Sequence, residues 1–347
     1  MLGETHVADA TLMFQEAGSS SLLAAQQLAA NKAQTAELGA LLRKKKPRAV
    51  ITIARGSSDH AATFARYLIE TQLGILTSSL APSISSVYEA KLDLENVVCL
   101  AVSQSGKSPD LIKSVETAKA AGAFVIAFIN APGSPLEQIS DVTLPLMAGP
   151  ELSVAATKSF ILTLTAVLQL VADWSADPAL ADAVASLPGG LAQAWRQDWS
   201  AAVEALKPAR NLFVVGRGLG FGLACEAALK FKETCGLHAE AFSSAEVQHG
   251  PMALVTQGFP VLAFAQRDVT LAGLAELAGR FAERGATVLL AGAEAPGAVS
   301  LPAISGHPAI EPVLLIQSFY RMAAQLSVAR GFDPDRPPHL NKVTSTL

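Results

Sequence analysis

Six consecutive residues, Ser103-Gln104-Ser105-Gly106-Lys107-Ser108, place three hydroxyls, an amide, a glycine and a cation directly before Pro109. The apolar run 97–102 ahead of them reads as a buried strand and 109–121 behind them as a helix, so the serines fall in a strand-to-helix turn. An open α/β sheet places its ligands at that edge. The unpaired N–H groups and positive dipole end of the helix favour an anion there. The hydroxyls and Gln104 add donors, and Gly106 lets the backbone come close. The turn therefore reads as a phosphate cradle. A helix cap accounts for Ser108, with Pro109 at the first helical position, but not for Ser103, Gln104 or Ser105. The spacing of a nucleotide P-loop is absent, and Gly216-Arg217-Gly218-Leu219-Gly220 lacks the third glycine of a dinucleotide fingerprint. Lys107 either adds a charge-assisted contact or is solvated.

The elements that must position this turn repeat. Strands are expected at 49–54, 97–103, 123–129 and 142–146, with helices at 59–73, 109–121 and 157–174. The alternation implies βαβ units and a parallel sheet. A polar connector follows, with Pro178 and Pro188-Gly189-Gly190 as breakers. The pattern then restarts with strands at 212–215, 261–265 and 287–290 and helices at 222–234, 271–284 and 311–329. Ile53-Ala54-Arg55-Gly56-Ser57 and Val215-Gly216-Arg217-Gly218-Leu219 each join a strand to an Ala-rich helix, which reads as an internal duplication. The tail, with Pro334, Pro337 and Pro338, has neither period.

With 347 residues, half of them hydrophobic and 16% charged, there is material for two cores. The net charge of −4 argues against a nucleic-acid surface; a small phosphorylated ligand needs no basic face. Cys99, Cys225 and Cys235 have no metal or redox spacing and read as reduced thiols in a cytoplasmic protein. No signal peptide is visible and no run is long enough to span a membrane. Nothing points to a metal or an organic cofactor.

Ser-Gln-Ser-Gly after a strand, the preceding Gly56-Ser57-Ser58 turn and a second lobe built like the first resemble the tandem sugar isomerase (SIS) domain family. Three segments of the second lobe are similar to the isomerase half of the glucosamine-6-phosphate synthase family. They are Ala228-Leu229-Lys230-Phe231-Lys232-Glu233, His238-Ala239-Glu240-Ala241 and Glu246-Val247-Gln248-His249-Gly250-Pro251. So is the tail segment running from Asp333 to Lys342. The resemblance covers about residues 35–347. It implies an α/β fold of two tandem SIS domains, each a flavodoxin-like, parallel-sheet αβα sandwich, plus an irregular tail. The expected organisation is an N-terminal helical segment (1–34), lobes at 35–175 and 207–330, a connector (176–206) and an active-site tail (331–347). It implies a hexose 6-phosphate as ligand and a homodimer whose chains complete each other's sites. Its phosphate-binding positions fall on Ser58, Ser103, Gln104, Ser105 and Ser108, with Gly56, Ser57, Val154 and Ala156 as further substrate contacts. Its C1–C2 proton-transfer base falls on Glu233 supported by Lys230, its ring-opening histidine on His249 and its imine-forming lysine on Lys342.

Those residue types suit the chemistry. A carboxylate beside C1–C2 moves a proton, a histidine titrates near neutrality, and a lysine forms a Schiff base. Taken alone, each has a plainer reading: Lys230 and Glu233 as a surface i, i+3 pair, His249 as a turn residue, Lys342 as a solvated tail lysine. The synthase family carries a glutaminase with an N-terminal cysteine, whereas this sequence begins Met1-Leu2 with no cysteine before Cys99. The expected reaction is thus glucosamine 6-phosphate plus water giving fructose 6-phosphate plus ammonia. A deglycase acting on a 6-phosphorylated fructosamine, or a non-catalytic sugar-phosphate sensor, are the alternatives. Asp59, Lys107 and Ala156 depart from the family pattern, which commonly has an aromatic, an acid and a hydroxyl there.

Overall fold

The computed structural model describes residues 7–342; the first six residues and the last five of the expected tail lie outside the described residues. In the first half, α1 (Leu12–Gly18) and α2 (Ser20–Lys45) precede β1 (Ala49–Ile53), α3 (Ser57–Leu73), β2 (Thr77–Ser79) and α4 (Pro82–Ser86). Then come β3 (Val97–Ser103), α5 (Pro109–Ala120), β4 (Phe124–Ile129), α6 (Pro135–Ile139), β5 (Val142–Pro145) and α7 (Lys158–Ser175). The second half holds α8 (Pro178–Ala194), α9 (Ser200–Leu206), β6 (Asn211–Gly216), α10 (Leu219–Cys235) and β7 (His238–Ser243). It closes with β8 (Pro260–Phe264), α11 (Leu271–Glu283), β9 (Thr287–Ala291), β10 (Val299–Leu301) and α12 (Glu311–Ala329).

Two five-stranded parallel sheets result, ordered β2-β1-β3-β4-β5 and β10-β9-β8-β6-β7. Read from the other edge, the second sheet has the order of the first, and both follow the 2-1-3-4-5 winding of flavodoxin-like folds. The expected α/β architecture of two such lobes is what forms. Even the backbone repeats: Gly56 (φ 54°, ψ −132°) opens α3 and Gly218 (φ 55°, ψ −126°) opens α10. Only glycine takes that conformation without strain.

The chain divides into two compact units. One contains residues 22–150 and 159–185, the other 7–21, 151–158 and 186–342. In the first, alternate residues of three strands (Ile51 and Ile53, Cys99 and Ala101, Val125 and Ala127) pack against Leu111 and Val115 of α5. Along α2, Gln27, Asn31 and Gln34, one helical face at i, i+4 and i+7, donate at 3.0 Å to the carbonyls of Leu146, Pro145 and Thr143. The side-chain amides thereby occupy the acceptors of edge strand β5. In the second unit Phe213, Val215, Val261, Ala263 and Val288 pack against Leu274, Leu277 and Phe281 of α11.

Most strands and helices form where the sequence periods place them, to within one to three residues. Three short edge strands, β2, β7 and β10, escape a reading based on apolar runs because they carry exposed or polar residues. The connector differs more. Pro188-Gly189-Gly190 does not break the chain but lies inside α8. A stripe of buried Leu180, Val184, Leu187 and Leu191 holds the helix, and the Pro188 carbonyl accepts the Ser21 hydroxyl at 2.8 Å. At Gly190 a Cβ would stand 2.9 Å from Leu314 Cδ2, so the small residue admits α12. Cys99 and Cys235 are buried, and burial pushes both thiols up to about 12. No helix among the described residues is long and apolar enough to cross a membrane.

A Cβ on Gly39 of α2 would sit 2.7 Å from the Asp173 carbonyl carbon and oxygen at the end of α7. Gly39→Ala, favourable by helix propensity, is therefore expected to destabilise the protein by about 2 kcal/mol in urea unfolding.

Candidate active site

The strand order of the first sheet reverses between β1 and β3, and both exits carry expected site residues. β3, buried over all seven residues, delivers the serine turn. The Ser103 hydroxyl accepts the Gly106 N–H at 3.0 Å and the Ser105 hydroxyl accepts the Lys107 N–H at 3.3 Å. The turn is anchored from below, since the Gln104 and Gly106 carbonyls accept N–H bonds from Ala131 (3.1 Å) and Leu136 (3.2 Å). Gly106 has φ 61°, and a Cβ on it would lie 2.3 Å from Ser134 Oγ. That Ser134 hydroxyl is buried and has no hydrogen-bond partner among the described residues. Ser108 is the N-cap residue of α5, yet its hydroxyl makes no capping bond, so the capping role does not use up its side chain. Lys107 is exposed, and Gln104, Ser105 and Ser108 are half-buried. At the β1 exit Gly56 is exposed, while Ser57, Ser58 and Asp59, at the start of α3, are half-buried. Burial pushes the Asp59 carboxyl up, opposed by His60, Arg55 and a hydrogen bond with Ser79.

The same edge of the second sheet is built differently. Gln266, after β8, is fully buried, and its amide donates to the Arg217 carbonyl (2.8 Å), Asp268 Oδ2 (3.0 Å) and Thr270 Oγ1 (3.2 Å). Asp268 Oδ1 accepts the Thr270 N–H at 2.8 Å, so the chain's own carboxylate meets the start of α11.

The remaining expected residues belong to the second unit. Helix α10 puts Glu226, Lys230 and Glu233 on one stripe (i, i+4, i+7). Glu226 and Lys230 are fully buried and Glu233 keeps 21% of its side chain exposed. Lys230 Nζ lies 3.5 Å from Glu226 Oε1 and donates to Glu233 Oε2 in direct contact. The Tyr320 hydroxyl, from α12, donates to Glu226 Oε1 at 2.9 Å. Burial opposes the Lys230 charge, but Glu226, Glu233 and Glu151 outweigh it and hold its pKa above the usual lysine value. Burial and the same carboxylates raise Tyr320 well above its ordinary value. Lys230 is therefore a fixed ammonium, and a surface pair with Glu233 is excluded.

Lys342 is not a free tail lysine either. Its Nζ donates to Glu151 Oε2 at 3.1 Å and to the Ser153 carbonyl at 2.7 Å, and Glu151 is fully buried. The loop 151–157 is clamped from two sides. Glu16 of α1 accepts the Leu152 (2.5 Å) and Ser153 (3.2 Å) N–H groups, and the Asp335 carbonyl accepts the Val154 N–H at 3.2 Å. Asp335 also takes the Leu12 and Met13 N–H groups, each at 2.7 Å, capping α1 from the tail. Val154 and Ala156 are half-buried on this loop. His249 ends a short 3-10 turn, Glu246–His249, before Gly250 (φ 140°). Its ring is exposed and makes no hydrogen bond or ion pair among the described residues, so nothing bonds it to Glu233. A cavity of about 320 Å³ lined by Leu229, Lys232, Glu233, Gly236, Phe332, Pro338 and Leu340 opens beside Glu233.

Glu151, Glu226 and Tyr320 complete the charged network and are absent from the sequence reading. Glu226 was visible as the i−4 neighbour of Lys230; Glu151 and Tyr320 had no local signal.

Residues 41–172 and 205–327 match the SIS domain family. A glutamine–fructose-6-phosphate aminotransferase (isomerizing) of Aeropyrum pernix is 37% identical over 320 residues, covering 85% of this chain and 51% of that protein. The chain thus spans about half the length of the curated relatives it matches. A crystal structure of a protein provisionally described as a phosphosugar isomerase, from Silicibacter pomeroyi, is 46% identical. Its TM-score is 0.90, with 94% of this chain and all of that one covered. A glucosamine-6-phosphate deaminase of Thermotoga maritima shares the fold at 23% identity, with a TM-score of 0.76 over 97% of this chain and 100% of its own.

Lys230→Met leaves buried carboxylate without its cation, and is expected to cost about 3 kcal/mol in denaturant unfolding. In the native protein Lys230 and Tyr320 both titrate above their unfolded values of about 10.4 and 10. Their contribution is complete below those values and is lost as pH rises through the folded pKa. Unfolding free energy is therefore expected to fall above about pH 10, and less steeply in Tyr320→Phe and Lys230→Met.

Proposed function

The chain belongs to the SIS domain family, and we propose that it is a phosphosugar deaminase–isomerase that converts glucosamine 6-phosphate and water to fructose 6-phosphate and ammonia. The observation that carries this reading is the state of Glu233. It is the one carboxylate of the α10 stripe that keeps solvent access, and it has a fixed, fully buried ammonium behind it. A carboxylate so held keeps one orientation and still reaches solvent, as a proton-transfer base requires.

In this reading the phosphate rests on Ser103, Gln104, Ser105 and Ser108 with Ser58, and Gly56, Ser57, Val154 and Ala156 flank the sugar. His249 assists ring opening within a homodimer whose chains complete each other's sites. Glu233 then takes the proton from C2 and returns it to C1, turning the 2-amino aldehyde into a 2-imine. Lys342 attacks C2 as the free amine, ammonia leaves, and water hydrolyses the lysine imine to fructose 6-phosphate. Lys342 must first lose a proton, and Glu151, 3.1 Å away, is the acceptor within reach.

A second reading is a fructosamine-6-phosphate deglycase. The cavity beside Glu233 favours it, because its walls of Leu229, Phe332, Pro338 and Leu340 suit an apolar substituent on the substrate nitrogen.

Purified protein incubated with glucosamine 6-phosphate is expected to release ammonia, and Glu233→Gln to lower kcat by about 10²–10⁴-fold. No release above the Glu233→Gln control rejects the deaminase. Lys342→Ala is expected to cripple ammonia release; release that survives it, together with turnover of a 6-phosphorylated fructosamine, favours the deglycase.

A further inference from the structure

The turn after β1 holds a cation that the scheme above does not use. Arg55 donates from Nε (3.0 Å) and Nη2 (2.8 Å) to one oxygen, Oδ2 of Asp110. Asp110 is completely buried, while 53% of the arginine side chain stays exposed. Nη1 makes no hydrogen bond among the described residues. Strand register fixes the location. Ile53 of β1 pairs with Ala101 of β3, so Arg55 and Ser103 leave the sheet at the same level, and Asp110 lies two residues past Ser108.

The cradle has an electrostatic problem that this cation addresses. Asp110 stands in the first turn of α5 and Asp59 in that of α3. Carboxylates at these helix starts occupy the field that would favour a bound phosphate, and they repel a dianion directly. Arg55 faces both acids. It engages Asp110 through its Nε and Nη2 edge, offsets the Asp59 charge through space, and leaves Nη1 unbonded among the described residues. A guanidinium, unlike an ammonium, has donors in a fixed fork that can hold two anionic groups at once. A polar group without a partner among the described residues lies against the serine turn, the buried Ser134 hydroxyl at the start of α6 beside Gly106.

We propose that Arg55 is a phosphate-binding residue, bridging Asp110 and the 6-phosphate of the sugar. This rests on the phosphate-cradle reading and adds to it a buttressed cation that selects a phosphorylated sugar over a neutral one.

The test measures fructose 6-phosphate and inorganic phosphate binding by calorimetry at low and moderate salt. Arg55→Gln is expected to weaken fructose 6-phosphate binding by about 10–100-fold, the worth of one charged hydrogen bond, and to flatten its salt dependence. The decisive comparison uses a background of Asp59→Asn with Asp110→Asn, where no acid remains for Arg55 to neutralise. Adding Arg55→Gln there must still weaken binding at least tenfold. Equal affinity with and without Arg55 in that background overturns the assignment and leaves Arg55 a neutraliser only. If that background does not fold, Arg55→Lys and Arg55→Gln decide. The lysine variant is expected to bind more weakly than wild type and more tightly than the glutamine variant, and equal binding by wild type and Arg55→Gln overturns the proposal. Wild-type protein that binds neither probe overturns the cradle reading along with it.

Discussion

A single ammonium, that of Lys230, sets the conditions for everything around it in the second unit. It is fully enclosed between Glu226 and Glu233 and feels Glu151 as well. An enclosed lysine without those neighbours would discard its proton. The carboxylates therefore fix its charge. Tyr320 closes the far end by donating to Glu226, and on the α10 stripe it is Glu233 that reaches solvent. The same balance constrains α10 and α12, because the stripe works only if the two helices keep their rotation about one another.

The two sheets show how one winding yields two different edges. Gly56 and Gly218 have nearly the same backbone angles, so the duplicated geometry survives at the β1 and β6 exits. At the neighbouring exits it diverges. The first half has a serine turn with hydroxyls on its own amides and a glycine that nothing larger can replace. The second has Gln266 and Asp268, which engage Arg217, Thr270 and the start of α11. One edge leaves half-buried hydroxyls and an amide at its surface, and the other supplies its own anion.

Much of this was legible in the residues. The winding follows from apolar runs spaced by helical periods, and the serine turn from its place between a strand and a helix, where spacing along the chain is also spacing in the turn. Other features had no such signal. The short strands β2, β7 and β10 carry polar or exposed residues, so they form through their neighbours in the sheet. Helix α8 overrides Pro188-Gly189-Gly190 because its buried stripe and the approach of Leu314 outweigh local propensity. Glu151, Glu226 and Tyr320 gain meaning only from contacts across elements far apart in sequence. Lys230 looked like half of a surface pair because i, i+3 spacing does not say which way a helix faces.

Asp335 joins the two ends of the described chain, taking the first N–H groups of α1 with its carboxylate and the Val154 N–H with its carbonyl. Translation is vectorial, and residues 333–342 leave the ribosome after every helix and strand of both units. Until they emerge, the loop bearing Glu151 lacks its contacts with Asp335 and Lys342. The nascent protein can thus complete both sheets before the tail clamps the 151–157 loop.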